Sequence, residues 1–188
     1  MSPTKTLRFA SVAISLACWS AASRAGPVEE NVIGAFESYC LDNLNAPDRA
    51  MRMTDALGLT EIQEPHRAIL MADHPGRAWA SFAKDQKYFI KLSDEGVCSI
   101  SSPVADGNLV RQLFVKLSRS RLLSTEKIGS ETQSIFAVTH PEPRGAADGH
   151  AIVVGTSSEL PSVAGAGLTS IPEKAAKAGG INVPQVWP

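Results

Sequence analysis

The first 25 residues constrain this chain more than any other feature, because they form an export signal that is removed from the mature protein. Two basic residues precede an uncharged, largely apolar run at 9–22, and small residues precede a cleavage site between Ala25 and Gly26. A run of about 14 residues spans about 21 Å as a helix, which is short of the roughly 30 Å hydrocarbon core of a bilayer. We therefore expect a signal peptide, no membrane span, and a periplasmic or secreted protein.

Cys18 offers a second interpretation of the leader. The tripeptide Leu16-Ala17-Cys18 is similar to the end of a lipoprotein processing box, in which the cysteine is acylated and anchors the protein to a membrane. That box requires a branched aliphatic residue three positions before the cysteine, where this chain has Ser15. We therefore favour the cleaved signal peptide over the lipid anchor.

Cleavage of the leader removes Cys18 and leaves two cysteines, Cys40 and Cys98. Cys40 lies on the apolar stripe of a predicted helix. Cys98 shares the inward face of a predicted strand with Ile100, while Ser99 and Ser101 lie on the other face. In an oxidising compartment, two thiols that both face the core form a disulfide. The chain has no Cys-x-x-Cys motif, which argues against a thioredoxin-type redox site or a zinc knuckle.

Length and charge define the broad class of the mature protein. Removing residues 1–25 leaves 163 of the 188 residues, a size that fits a single domain. Three of the 18 basic residues leave with the signal, so 15 remain against 19 acidic residues, a formal charge of −4. This mild acidic balance, without a dense basic run, excludes an electrostatic footprint for nucleic acid or an anionic membrane surface.

The apolar spacing predicts an N-terminal helical hairpin. Apolar residues recur every four positions over residues 27–44, and Pro47 begins a second helix that runs to Leu57 and stops at Gly58. Asp106 is a candidate N-cap for a third helix with an apolar stripe up to Leu117.

Shorter runs with aromatic and β-branched residues predict an antiparallel sheet on both sides of that third helix. The predicted strands cover residues 78–82, 88–92, 97–101, 121–128, 132–139 and 150–156. The expected fold class is therefore α+β, with the helical hairpin, a sheet of about five to six strands interrupted by one core helix, and one disulfide.

The sequence predicts that the domain covers residues 26–158 and that residues 159–188 form a flexible tail rich in Ala, Gly and Pro. Between residues 159 and 180 the large aliphatic side chains are few: Leu160, Val163, Leu168 and Ile171. Their burial, at about 1.5–3 kcal/mol each, does not offset an ordering cost of about 1–2 kcal/mol for each backbone unit. Trp187 is then expected to be exposed.

Two short motifs carry a resemblance to a known group of proteins. Phe36-Glu37-Ser38-Tyr39-Cys40-Leu41 and Gly96-Val97-Cys98 follow the pattern of a helix with Phe-x-x-x-Cys-Leu and a later strand with Gly-Val-Cys. In this respect the chain, over about residues 28–117, resembles small exported proteobacterial proteins of unknown function. The resemblance implies the disulfide and no particular activity.

Candidate catalytic and metal-binding residues are few. Gly-x-Ser-x-Gly, His-Glu-x-x-His and Walker-type glycine loops are absent from the sequence, so the common hydrolase, zincin and nucleotide folds have no motif in their favour. Five thioether and imidazole side chains, the ligand types that suit copper, occur within a short segment: Met51, Met53, His66, Met71 and His74. The methionines among them are more simply interpreted as core residues. His140 and His150 flank a loop and are expected in solvent.

These observations favour a non-enzymatic binding or interaction module of the cell envelope, with an envelope protein or a small ligand as its partner and no cofactor. The alternatives are a periplasmic hydrolase with unidentified catalytic residues and a weak copper-binding protein. A pocket with convergent polar groups favours an enzyme, whereas a flat or grooved sheet face with a polar rim favours a binding module.

Overall fold

A computed structural model describes residues 26–72, 74–84, 86–141, 149–158, 165–185 and 187–188. The predicted leader, Ala25 at its cleavage site and Cys18 lie outside this part of the chain, and so do residues 142–148 and 159–164. Among the described residues, no helix combines the length and the apolar character that crossing a bilayer requires.

The N-terminal segment is helical, but it is not the predicted hairpin. Helix α1 (Pro27–Ala35) continues as a π-helical turn (Phe36–Cys40) and a 3₁₀ turn (Leu41–Asn43), and α2 (Pro47–Ala56) packs against these two turns. Asn43 Nδ2 donates hydrogen bonds to the carbonyl oxygens of Ser38 and Tyr39 at 2.8 and 3.3 Å, and Arg49 Nε donates to Asn43 Oδ1. This local polar network gives hydrogen-bond donors to carbonyl groups at the end of the helical segment. The apolar spacing of the sequence alone does not predict these hydrogen bonds.

In the described part of the chain, eight strands form one antiparallel sheet, so the α+β class is confirmed while the predicted number of five to six strands is wrong. The strands are β1 (Thr60–Glu61), β2 (Gly76–Ala83), β3 (Gln86–Ser93), β4 (Cys98–Ser102), β5 (Ser120–Ile128), β6 (Glu131–His140), β7 (Gly149–Ser158) and β8 (Ala166–Pro172). Their order across the sheet is β1-β2-β3-β4-β8-β7-β6-β5. The other helices among the described residues are α3 (His66–Met71), α4 (Gly107–Leu117) and α5 (Glu173–Ala178).

Strand β8 lies within the segment that the sequence assigns to a flexible tail. It pairs with β4 on one side and with β7 on the other, and Leu168 is only 1 % exposed. The number of large aliphatic side chains in this segment does not reflect the two ladders of backbone hydrogen bonds that hold β8. Small side chains also pack at the centre of the sheet, and Ala166 and Ser170 are fully buried. The sheet therefore extends beyond residue 158, and the predicted boundary is wrong.

Helices α1 and α4 cover one face of the sheet and enclose the core. Phe114 on α4 makes edge-to-face contacts with Phe36 at 5.8 Å and with Phe136 on β6 at 5.3 Å between ring centroids. The predicted N-cap is confirmed, because Asp106 Oδ1 accepts hydrogen bonds from the backbone nitrogens of Asn108 and Leu109. Trp79 is fully buried, so it is a core anchor.

The predicted disulfide joins Cys40 in the π-helical turn to Cys98 at the start of β4. Both half-cystines are buried in the hydrophobic core. The bond therefore fixes the N-terminal helical segment to the centre of the sheet across 58 positions of sequence.

Glu29 forms a buried polar link between the start of α1 and the start of α4. Glu29 is only 8 % exposed. Its two carboxylate oxygens accept hydrogen bonds from Gly26 N at 2.9 Å and from Asp106 N at 3.0 Å. These backbone nitrogens have no intrahelical acceptor, because they precede the helices. Glu29 therefore satisfies two helix starts at once.

Replacing Glu29 by alanine is expected to lower the free energy of unfolding by about 1–3 kcal/mol, since it leaves both nitrogens without an acceptor. Urea unfolding of the chain from Gly26 onward measures this loss. Glu30→Ala is the matched control, because Glu30 is exposed on the same helical turn and a surface substitution changes stability by about 0.5 kcal/mol or less. Equal midpoints for the two variants would contradict the role of Glu29.

Candidate ligand-binding cavity

The sheet face opposite α1 and α4 carries polar side chains at its centre. Ile90, Ile100 and Leu168 point into the core, and side chains alternate along a strand. Their neighbours Lys91, Ser99 and Thr169 therefore lie on the other face, where the register places them side by side across β3, β4 and β8.

Helix α3 and the loop that follows it lie beside this polar row and form one wall of a partly open cavity of about 220 Å³. Its wall is mixed: the apolar residues are Leu70, Met71, Pro75 and Val97, and the polar residues are His74, Lys91, Ser93, Glu95, Ser99 and Thr169. The cavity therefore has an apolar roof and a polar floor.

Close backbone packing holds the roof in place. Gly76 has φ +145°, and a Cβ atom there would lie 2.3 Å from the carbonyl oxygen of Leu92, so only glycine allows the loop to approach β3 this closely. Arg67 on α3 donates a hydrogen bond to the Gly76 carbonyl at 2.9 Å, and Asp94 N donates to the Pro75 carbonyl at 3.2 Å. Helix α3 is therefore fixed relative to both β2 and the β3–β4 turn.

Lys91 is the group that gives the cavity its chemistry. It is partly buried, and this burial lowers the pKa of its ammonium below the usual value. Within the described part of the chain, no carboxylate or other side chain makes a hydrogen bond or an ion pair with it. A partly desolvated cation without a partner is costly to the fold, so the position is well suited to an anion.

Ser99 and Thr169 place two hydroxyl groups beside Lys91. Their oxygens lie 2.9 Å apart, and either one can donate to the other. Each hydroxyl keeps further capacity to donate or accept a hydrogen bond. The floor of the cavity therefore combines one ammonium group with two hydroxyls.

The five candidate copper ligands do not come together. Met51 and Met53 on α2 pack against the hydrophobic core, and His66 is exposed at the start of α3. Only Met71 and His74 line the cavity. In the described ranges, no group of three or more His, Cys, Asp or Glu side chains has a geometry that could hold a metal ion.

His140 and His150 lie in strands, where they face opposite sides of the sheet. His140 Nε2 contacts Asp42 Oδ1 at 2.7 Å, and burial raises the pKa of the nearby Glu37 carboxyl against the opposing effect of His140. His150 Nδ1 lies 3.1 Å from Thr139 Oγ1. From the sequence, both histidines are expected in solvent. The predicted strand 132–139 ends one residue before His140, whereas the predicted strand 150–156 already begins at His150.

Trp187 is not the exposed tail residue that the sequence predicts. Its ring stacks on the His150 imidazole, with 5.0 Å between the ring centroids. Stacked aromatic rings contribute about 0.5–1.5 kcal/mol beyond the area they bury. The C-terminal segment therefore returns to the sheet beside β7.

Comparison with known proteins adds no relative. No family model, no curated protein and no solved structure matches this chain. Within the part of the chain that the structure describes, the Lys91 cavity combines a partly buried ammonium, two hydroxyls and an apolar wall.

Sequence reasoning missed the cavity although part of the signal was present. The alternation of Cys98 and Ile100 with Ser99 already placed Ser99 on the face away from the core. Lys91 lies between Ile90 and Leu92, so the same alternation places it on the face away from the core. Its position beside Ser99 and Thr169 depends on the pairing of three separate strands. Thr169 lies in the segment that the sequence assigns to a tail, so the sequence does not predict the third strand of this row.

Proposed function

We propose that this protein is an exported, non-enzymatic binding module of the cell envelope and that it binds a small anion with an apolar body in the Lys91 cavity. The single observation that carries the proposal is the partly buried ammonium of Lys91, which lacks a partner in the described residues. The Cys40–Cys98 disulfide supports export, since such bonds persist in oxidising compartments.

The cavity wall suggests the chemical class of the ligand. A carboxylate can pair with the ammonium and accept hydrogen bonds from the hydroxyls of Ser99 and Thr169, while hydrocarbon packs against Leu70 and Val97. The volume of about 220 Å³ is below the roughly 300–1,000 Å³ of pockets for drug-sized ligands. Small aliphatic or aromatic monocarboxylates, such as hexanoate or benzoate, therefore match the cavity best.

The two alternative functions have less in their favour. A hydrolase needs a nucleophile in contact with a general base, whereas the Ser99 hydroxyl bonds the Thr169 hydroxyl. A copper site needs its thioether and imidazole ligands to converge, whereas the structure separates Met51 and Met53 from His74.

Lys91→Met is the variant that tests the proposal. We expect it to weaken binding of hexanoate or benzoate by about tenfold or more, because a hydrogen bond to a charged group contributes about 1.5–3 kcal/mol. Calorimetric titration at neutral pH measures the change. Lys87→Met is the matched control, since Lys87 lies on the same face of β3 but is exposed. Hexanol, which lacks the charge, is expected to bind weakly to every variant.

Lys91→Met is also expected to raise the free energy of unfolding by about 0.5–2 kcal/mol at neutral pH, since it removes the cost of burying the ammonium. Burial lowers the pKa of Lys91 in the folded protein. The cost of burying the ammonium is therefore complete at pH values below the lowered pKa of the folded protein. This cost disappears as the pH rises from that pKa to the pKa of Lys91 in the unfolded chain. If wild type binds the acids and Lys91→Met binds them equally well, the proposal is wrong.

A further inference from the structure

The two edges of the sheet differ strongly in length. Strand β1 at one edge has two residues, whereas β5 at the other edge has nine. Within the described residues, β5 pairs only with β6, so one side of its backbone carries N–H and C=O groups without a ladder partner. A long edge of this kind is a template for pairing with another strand.

Strand β5 also exposes large apolar side chains. Leu122, Leu123 and Ile128 are 53 %, 41 % and 53 % exposed. Side chains of this size gain free energy when a second strand covers them, because burial removes apolar surface from water. The edge is therefore a candidate interface.

A β-bulge determines which side chains of β5 share a face. The register with β6 shifts between Leu122 and Ser124, and it pairs Arg121 with Ala137 and Glu126 with Gln133. Ala137 and Gln133 are four residues apart, so they lie on the same face of β6. Arg121 and Glu126 therefore share a face as well, although they are five positions apart and a regular strand would place them on opposite faces.

We propose that two copies of this chain associate through antiparallel pairing of their β5 strands, with Arg121 of each copy opposite Glu126 of the other. In this register Ser120 lies opposite Lys127 and Leu122 opposite Thr125, so the overlap covers residues 120–127. Each pair joins a residue before the bulge in one copy to a residue after the bulge in the other copy. The bulge shifts the alternation of side chains by one residue, so both members of each pair lie on the same face of the sheet. The interface is isologous, and its two ion pairs are equivalent.

The charge pattern of β5 favours a second copy of the chain over an unrelated strand. In antiparallel self-pairing, opposite charges directly across from each other stabilise the pair and like charges destabilise it. A register shifted by one residue would place Arg121 opposite Lys127, with like charges and mismatched faces. One strand from each copy makes an interface below the roughly 1,200 Å² of stable complexes, so the dimer is weak and depends on concentration.

Sedimentation velocity over a micromolar to near-millimolar range tests the proposal on the chain from Gly26 onward. Wild type is expected to shift from monomer to dimer as its concentration rises. Arg121→Glu and Glu126→Arg, each alone, place like charges opposite each other and should weaken the dimer by about tenfold. Lys127→Glu is the matched control, because Lys127 faces the neutral Ser120 in the proposed register.

Mixing the two charge-reversal variants provides the decisive arm. One copy then carries two glutamates and the other two arginines at these positions, so the heterodimer has both ion pairs and should form as readily as wild type. Urea unfolding shows whether each variant folds. A wild type that stays monomeric throughout, single variants that dimerise like wild type, or a mixture that does not recover the dimer would each overturn the proposal.

Discussion

Replacing Cys40 and Cys98 together by alanine is expected to lower the free energy of unfolding by about 2–5 kcal/mol. The bond closes a loop of 58 residues, for which the chain-entropy model gives about 4 kcal/mol. It also joins the π-helical turn to β4 inside the core. A typical domain has only about 5–15 kcal/mol of stability, so a large share depends on this one bond. Urea unfolding of the oxidised wild type and the double variant measures the loss.

Reduction of the wild type provides the control for this effect. With a strong reductant, the wild type should unfold near the midpoint of the double variant, because the cross-link is then missing from both. A single Cys98→Ala variant should lose a similar amount and expose one titratable thiol. Two free thiols in folded, exported wild type, or a double variant that is as stable as the oxidised protein, would contradict the role of the disulfide.

Truncation after Ser158 is expected to abolish cooperative folding, because it removes β8 from between β4 and β7. The loss exposes two strand edges in the middle of the sheet and the core positions that Ala166 and Leu168 fill. Truncation after Gly180 keeps β8 and α5 and should still fold, with a small loss from the contact between Trp187 and His150. Urea unfolding followed by circular dichroism distinguishes the two truncated proteins.

A point substitution tests the same strand without removing any backbone. Leu168→Ala should cost about 2–5 kcal/mol, as large-to-small changes in a packed core do. Ile181→Ala is the control, since Ile181 is 40 % exposed after α5 and should change stability by about 0.5 kcal/mol or less. Cooperative unfolding of the protein truncated after Ser158 would contradict the position of β8 in the sheet.

The elements that the sequence predicts correctly are those determined by local pattern. Apolar residues at helical spacing identify the buried side of α4, and Asp106 precedes it with the side chain that an N-cap requires. Alternation along β4 places Cys98 toward the core, and the stripe that contains Cys40 does the same from the helical side. The disulfide follows from these two local patterns and the small number of cysteines.

The elements that the sequence misses depend on residues far apart in the chain. Strand β8 contains Ala166, Gly167 and Ser170, which have little hydrophobic signal, and its stability comes from neighbours on both sides. The π-helical turn is a local exception, because the Asn43 side chain donates hydrogen bonds to the nearby carbonyl groups of Ser38 and Tyr39, which a hydrophobic pattern does not encode. The cavity, like β8, depends on distant residues, since its floor comes from three strands and its roof from α3.

The proposed binding of a small carboxylate at Lys91 is tested most directly by the pKa of Lys91 itself, followed by NMR through its side-chain carbon next to the nitrogen. Saturation with hexanoate or benzoate should raise this pKa from its lowered value, because a bound carboxylate stabilises the ammonium. Chemical-shift changes should be concentrated at Leu70, Val97 and Thr169, which line the same cavity. A pKa of Lys91 that does not change at millimolar acid, with no shifts at the cavity wall, would contradict the account.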